Sequence, residues 1–153
     1  MEHSSVDRRS SQLDDIAEAL PQRSAALSRL FLTRTSVCVS RTEVGVMRNL
    51  REGPRRITEL AGEERVTQPA ITLLVNRLEE RGWVKRVPDP SDRRAVLVSL
   101  TPVGEGVFEQ LRAEYRALLH EEMAMLDDSE VETLAAAVEI LDGLIARLTE
   151  RES

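Results

Sequence analysis

The period of the apolar residues changes at Gly82, and this change limits the possible folds more than any other feature of the sequence. Before Gly82, one stripe at helical spacing predicts an amphipathic helix over 67–81: Ile71, Leu74, Val75 and Leu78. After it, residues 83–87 and 95–100 are β-branched and alternating, and the polar run 88–92 separates them. The sequence therefore predicts a helix that leads directly into a β-hairpin with a long polar tip.

Capping signals predict further helices on both sides of this unit. Ser40 with Glu43, and Asp127 with Glu130, form capping boxes. The predicted helices span, in chain order, about 11–35, 41–50, 59–64, 67–81, 101–125 and 128–150. Pro21 is expected to bend or split the first of them. Short helices followed by a hairpin are typical of a winged helix-turn-helix, so the predicted fold class is mainly α with a small β-hairpin wing (α+β).

Charge is unevenly distributed along the chain, whose formal net charge is −6. Residues 41–100 carry 12 basic and nine acidic groups, whereas residues 101–153 carry four basic and 13 acidic groups. A basic middle beside an acidic end suits a protein that presents one face to a polyanion. Charge also varies along chains that bind no polyanion, so the asymmetry alone decides little.

The helix over 67–81 has a polar face opposite its apolar stripe. That face carries Thr67, Gln68, Pro69, Thr72, Leu73, Asn76, Arg77 and Glu80. In a major groove, Gln and Asn can pair with adenine, and the methyl groups of Thr and Leu can contact thymine methyls. An ordinary solvated helix face would have the same composition, but the basic hairpin that follows favours the DNA-binding interpretation.

The hairpin tip carries three charged residues, Asp92, Arg93 and Arg94. A guanidinium is always charged and suits a narrow, electronegative minor groove. Asp92 is expected to hold Arg94 in a fixed rotamer for that purpose. The alternative is a solvated loop with a local ion pair, which would contribute little to stability.

These two segments together resemble the multiple-antibiotic-resistance regulator (MarR) family. Residues 66–84 resemble its recognition helix. Residues 92–101, with an Asp-x-Arg motif and a Leu-Thr pair before the next helix, resemble its wing. The order of the helices is similar over roughly residues 11–150. Many members have a basic residue at the position of Leu73.

The resemblance implies a role for each of several residues. Helix 67–81 would enter the major groove of duplex DNA, and Arg94, braced by Asp92, would enter the minor groove. Arg77 would contact phosphate. Many members have an acidic residue where this chain has Asn76.

The two ends of the chain are expected to form a dimer. The last helix carries an apolar seam of coiled-coil type: Val131, Leu134, Val138, Leu141, Ile145 and Leu148. Packing against helix 101–125 of the same chain would explain this seam equally well, and the resemblance favours packing between subunits. The predicted organisation is a flexible tail, 1–10, and a single domain, 11–150. Within that domain, 11–35 and 102–150 are dimerisation helices and 40–101 is the DNA-binding region.

Apolar residues beside the expected dimer helices indicate a candidate ligand pocket. The residues are Leu27, Leu30, Phe31, Met47, Arg48, Leu111 and Tyr115. Apolar walls near a guanidinium suit a small aromatic or anionic effector. The alternative is that these side chains simply fill the core. Gly104 and Gly106 predict a permissive hinge where the fifth helix leaves the wing.

Reactive groups are too few to indicate an enzyme, a cofactor or a metal site. The only histidines are His3 and His120, and the glutamates next to His120 would point in other directions on a helix. Cys38 is the single cysteine and lies between two valines. It is expected to be buried and inert rather than a peroxide sensor.

The expected function is sequence-specific binding of double-stranded DNA by a homodimeric transcriptional regulator, a ligand-responsive repressor acting on a palindromic operator. The alternative is a winged-helix interaction module that has lost DNA binding, an idea that the apolar Leu73 on the recognition face keeps open. No stretch approaches the roughly 18 apolar residues of a membrane span. The polar N-terminus has no apolar signal core, so a cytoplasmic location is expected.

Overall fold

A computed structural model of the chain describes the backbone of residues 2–92 and 94–151 and, within these ranges, the side chains from residue 7 onward. The elements, in chain order, are α1 (Glu2–Arg34), α2 (Arg41–Arg51), β1 (Arg55–Arg56), α3 (Ile57–Glu63), α4 (Gln68–Glu80), β2 (Val84–Pro88), β3 (Val96–Leu100), α5 (Pro102–Met123) and α6 (Asp128–Glu150). The strands form one antiparallel sheet in the order β1-β3-β2. This arrangement confirms the predicted fold class, mainly helical with a small β wing.

The chain divides into two compact units, residues 1–112 and 113–153, with the division inside α5. The first unit, which we call the winged unit, holds the buried apolar core. Helices α2, α3 and α4, the sheet and the start of α5 contribute to this core. Phe108 and Leu111 place the first turns of α5 in this core, and the dimerisation role of residues 102–150 stays a prediction. Within the described residues, none of the helices combines the length and the apolar character that crossing a membrane would require.

The capping residues predicted from the sequence begin and end the helices of the winged unit. The Ser40 backbone N–H donates to Glu43 Oε2 at 2.7 Å, and the Glu43 N–H donates to Ser40 Oγ at 3.2 Å, which confirms this capping box. Thr67 Oγ1 accepts from the Ala70 N–H at the start of α4. Gly82 follows α4 with a φ of +72°, a conformation that glycine adopts without strain.

The hairpin register runs from Val84 opposite Leu100 to Pro88 opposite Val96, as the alternating pattern predicts. Strand β1 is an addition that the sequence analysis missed. Its two residues pair with Val98 and Leu97 on the other edge of β3. A strand of two residues has no alternation to detect, so the pattern could not reveal it.

Helix α1 differs from the prediction at its start. It begins at Glu2 rather than near residue 11, inside the segment predicted as a tail, and it continues as one helix through Pro21. Residues 2–10 contain no proline or glycine that would end a helix. Their polar character was therefore a poor guide to where the helix begins.

Cys38 is exposed, and the prediction that it is buried is wrong. The segment before α2 alternates, with Val39 buried, Val37 partly buried and Cys38 between them facing solvent. Residues of an extended segment point alternately to opposite sides, so the two valines that made the setting look apolar place the thiol outside.

The junction between β3 and α5 is closely packed rather than permissive. The Gly104 N–H donates to Thr101 Oγ1 at 3.0 Å, and the Thr101 N–H donates to the Trp83 carbonyl at 3.0 Å. A Cβ atom on Gly104 would lie only 2.0 Å from that carbonyl oxygen. Gly104 therefore allows a close approach of two backbones, which replaces the hinge role expected for it. Gly106 has no such neighbour within 4 Å.

Candidate nucleic-acid interface

Helix α4 presents one face to the core and the other to solvent. Its apolar stripe is buried, as predicted. The opposite face is exposed, with Leu73 66% accessible and Thr72 partly buried. The exposed members of this face are Thr67, Gln68, Pro69, Leu73, Asn76, Arg77 and Glu80. We call this exposed side of residues 67–80, opposite the buried stripe, the recognition face.

A tight turn sets the direction of α4 relative to α3. Arg65 has a φ of +53°, in the left-handed region that non-glycine residues rarely adopt. Its N–H donates to the Gly62 carbonyl at 3.1 Å, and the Val66 N–H donates to the Ala61 carbonyl at 3.0 Å. These two bonds occupy carbonyls at the end of α3 and connect the two helices through a short turn, the connection that a helix-turn-helix requires.

Internal hydrogen bonds fix the polarity of two side chains on the recognition face. Thr72 Oγ1 donates its proton to the Gln68 carbonyl at 2.8 Å, so toward another partner this hydroxyl can only accept. Asn76 Oδ1 accepts from Nη2 of Arg86 on β2 at 2.6 Å. Arg77 forms no ion pair within the described part of the chain and leaves its charge available to an anion.

Arg86 was not among the residues predicted to matter. Its guanidinium also forms an ion pair with Glu79. The alternation of β2 in the sequence places the Arg86 side chain on the opposite side of the strand from Lys85 and Val87. The sequence does not say which helix packs against that side.

The wing loop is held at its base by a buried carboxylate. Asp89 is 6% exposed and accepts from Arg56 Nε at 3.1 Å, from Arg56 Nη2 at 2.6 Å and from Ser91 N–H and Oγ at 2.8 and 2.6 Å. The hydrogen bonds from Ser91 and Arg56 hold the pKa of Asp89 well below its usual range. The Asp89 N–H also donates to the Ala95 carbonyl across the loop. Arg56 of β1 and Asp89 thus tie the wing to the sheet, a contact that the sequence analysis missed along with β1.

The tip of the wing carries the predicted Asp92 and Arg94. Asp92 Oδ1 accepts from the backbone N–H of Arg94 at 3.0 Å, and its Oδ2 lies 4.0 Å from Arg56 Nη2. The Arg94 guanidinium forms no ion pair with Asp92 or with another described residue. Asp92 therefore orders the backbone at Arg94 and does not hold the Arg94 side chain directly. Arg93 was also predicted to contact DNA, and it lies outside the described residues.

Comparisons with known proteins decide the family. Residues 39–96 match the sequence profile of the MarR family. An HTH-type transcriptional regulator of Mycobacterium bovis is 31% identical over 138 residues, which cover 87% of this chain and 96% of that protein. The chain belongs to the MarR family. This family is one of transcription regulators and not of enzymes, as expected.

Further proteins resemble the chain in sequence or in structure. The multiple antibiotic resistance protein MarR of Salmonella typhimurium is 42% identical over 66 residues, 42% of this chain, and the match spans 46% of that relative, less than half its length. The crystal structure of wild-type MarR from E. coli has a TM-score of 0.69 and 28% identity, covering 84% of this chain and 95% of that one. A probable transcriptional regulator of Pseudomonas aeruginosa has a TM-score of 0.63 and 33% identity, covering 89% and 98%.

In this MarR-family chain, the candidate ligand residues occupy different environments. Met47 and Leu111 are fully buried in the core of the first unit, so a ligand could reach them only if that core opened. Phe31 is half-buried in the same unit. Leu27, Leu30 and Arg48 are exposed. Tyr115 belongs to the second unit, where it is half-buried.

The seam of α6 is largely exposed within the single chain. The solvent-exposed fractions of its exposed residues range from 42% at Leu134 to 61% at Ile145 and Leu148. Leu141, the remaining seam residue, is half-buried. Helix α1 also carries exposed apolar residues, among them Leu13 and Ile16. Exposed apolar residues recurring along one helix mark an interaction surface.

The second unit also contains His120, which is exposed. In the part of the chain that the structure describes, no three His, Cys, Asp or Glu side chains are grouped as they would be to hold a metal ion.

Proposed function

We propose that this chain is a sequence-specific DNA-binding transcription regulator that contacts duplex DNA with the recognition face of α4 and with the wing. The observation that carries the proposal is a helix with one buried face and one exposed face, the latter presenting Gln68, Asn76 and Arg77 to solvent. Side chains of this kind reach base edges when a helix lies in the major groove. The acceptor hydroxyl of Thr72 and the amide of Asn76 would read bases, and Arg77 would neutralise phosphate.

The wing would supply a second contact in the minor groove. Arg94 has no competing partner among the described residues and follows a turn that Asp92 closes. The Arg56–Asp89 contact anchors the other end of the loop. A loop held at both positions loses little conformational entropy when its arginine enters a groove, which favours binding.

The regulator would act as a homodimer on a palindromic operator, in the cytoplasm, as a repressor. The exposed apolar seam of α6 supports the dimer, because a free chain would leave these side chains in water. Two recognition helices about 34 Å apart would then meet successive turns of the major groove. A small aromatic or anionic effector would release the operator, with Phe31, Leu30 and Arg48 as its contacts in the winged unit.

DNA-binding measurements at two salt concentrations test this function. The probe is the duplex next to the gene of this protein, and the control is a scrambled duplex of the same length and composition. We expect tighter binding to the first, with an affinity that falls as salt rises because phosphate contacts release counterions. Absence of binding at low salt would refute the function. It would favour an interaction module instead, for which the exposed Leu73 offers an apolar contact.

A further inference from the structure

Arg86 connects strand β2 to the recognition face. Its Nη2 donates to Asn76 Oδ1 at 2.6 Å, and its Nη1 donates to Glu79 Oε2. Asn76 and Glu79 are three residues apart and therefore neighbours on the helix surface. The planar guanidinium spans both acceptors with two of its donors, a geometry that arginine provides and lysine does not. Arg86 is thus fixed against the helix rather than extended into solvent.

This contact determines which way the Asn76 amide faces. A guanidinium only donates hydrogen bonds, and an amide nitrogen only donates, so the amide atom next to Arg86 must be the oxygen. Nδ2 occupies the other branch of the planar amide, so its two N–H donors are not used by Arg86. Asn76 is exposed, and within the described residues these two donors have no partner. Asn76 therefore offers these two unpaired donors to an incoming molecule, whereas its acceptor oxygen already faces a cation.

We infer that Arg86 is a positioning residue that makes Asn76 a donor toward DNA, so that this position selects guanine or thymine over adenine. The inference rests on the proposed function. Pairing with adenine would require Oδ1 to accept from the N6 amino group while Nδ2 donates to N7. Here Oδ1 already accepts from a cation, which would also repel the hydrogens of that amino group.

Guanine and thymine, which present acceptors and no amino group in the major groove, fit this amide instead. Guanine presents N7 and O6 in the major groove, and thymine presents O4, all of which accept hydrogen bonds. Cytosine presents an amino donor and is disfavoured for the same reason as adenine. Residue type alone suggests that Asn76 prefers adenine. Arg86, ten positions later on the next strand, reverses this preference.

A selection experiment with a library of randomised duplexes tests the inference. The proteins are the wild type, Asn76→Ala, Arg86→Ala and, as a matched control, Lys85→Ala. Lys85 is the adjacent basic residue of β2, and alternation directs it to the opposite side of the strand. Both basic variants remove one positive charge from an exposed position, and only Arg86→Ala releases the Asn76 oxygen.

We expect the wild type to enrich guanine or thymine at a position whose preference Asn76→Ala abolishes. Arg86→Ala should increase adenine at that position by about fivefold or more, the scale of one base contact, and leave the other positions unchanged. Lys85→Ala should weaken binding to all sequences alike and retain the wild-type motif.

Three results would overturn the inference while leaving the proposed function intact. They are adenine at the Asn76-dependent position in the wild type, an unchanged motif in Asn76→Ala, and an unchanged motif in Arg86→Ala. A wild-type protein that binds DNA but enriches no motif would also overturn it, and with it the sequence specificity that we propose. A wild-type protein that binds no duplex at low salt would refute the function itself.

Discussion

Replacing Gly104 by alanine tests the packing that joins the wing to α5. In the structure a Cβ at this position would lie 2.0 Å from the Trp83 carbonyl oxygen, 2.8 Å from the carbonyl carbon and 2.9 Å from Leu100 Cδ1. Two of these atoms belong to backbone that hydrogen-bonds to Thr101, so they cannot rotate away. To reach an ordinary contact distance, α5 and the backbone of Trp83 must separate by about 1 Å or more.

Two opposing effects decide the size of the change. Alanine in place of glycine favours a helix by about 1 kcal/mol. Forced separation of packed elements, including shifts of the backbone, typically costs about 1–3 kcal/mol. After the gain in helix propensity is subtracted, we expect Gly104→Ala to lower the free energy of unfolding by up to about 2 kcal/mol.

Gly106→Ala provides the matched control, because Gly106 lies in the same helix and a Cβ there meets nothing within 4 Å. It should keep the gain in helix propensity and stabilise the protein by about 0.5–1 kcal/mol. Denaturant unfolding at one fixed protein concentration measures both variants. If Gly104→Ala were as stable as Gly106→Ala, the close approach of Trp83 and α5 would be disproved.

Three further predictions concern the dimer, the phosphate contact and the wing. Leu141→Glu would place an unpaired charge in the proposed seam, so sedimentation should show monomers, and an intact dimer would locate the interface elsewhere. Arg77→Ala should weaken binding to all sequences and reduce the salt slope by about one, whereas a changed base preference would contradict the phosphate role. Asp89 has a lowered pKa, so its stabilising effect is complete at neutral pH and is lost as the pH falls from about 4 through its folded pKa. Acid unfolding of Asp89→Asn should accordingly show a weaker pH dependence than the wild type, and an identical curve would contradict the anchor.

The sequence was a sufficient guide wherever a local signal acts alone. The stripe on α4 and the capping box at Ser40 each depend on residues within one or two turns, and both agree with the structure. Gly82 likewise ends α4 through its own backbone conformation. The hairpin could be predicted because strand alternation repeats over five residues on each side.

Contacts between residues far apart in the chain could not be predicted from local sequence patterns. Arg56 and Asp89 are 33 positions apart, and Asn76 and Arg86 meet only because β2 folds back beside α4. The role of Gly104 depends on a carbonyl 21 positions earlier in the chain. In each case the residue type allowed several roles, and the tertiary fold selected one.

The affinity of Arg94→Ala for the operator tests the central claim, DNA binding by the recognition face and wing, most directly. Arg116→Ala is the control, since it removes an exposed arginine from α5 outside the proposed interface. With a fixed operator duplex and one salt concentration, we expect Arg94→Ala to lose about 1–3 kcal/mol of binding free energy, roughly five- to 150-fold in Kd, while the control binds like the wild type. Equal affinities for Arg94→Ala and wild type would contradict the wing contact, and an equal loss in both variants would show that only overall charge matters.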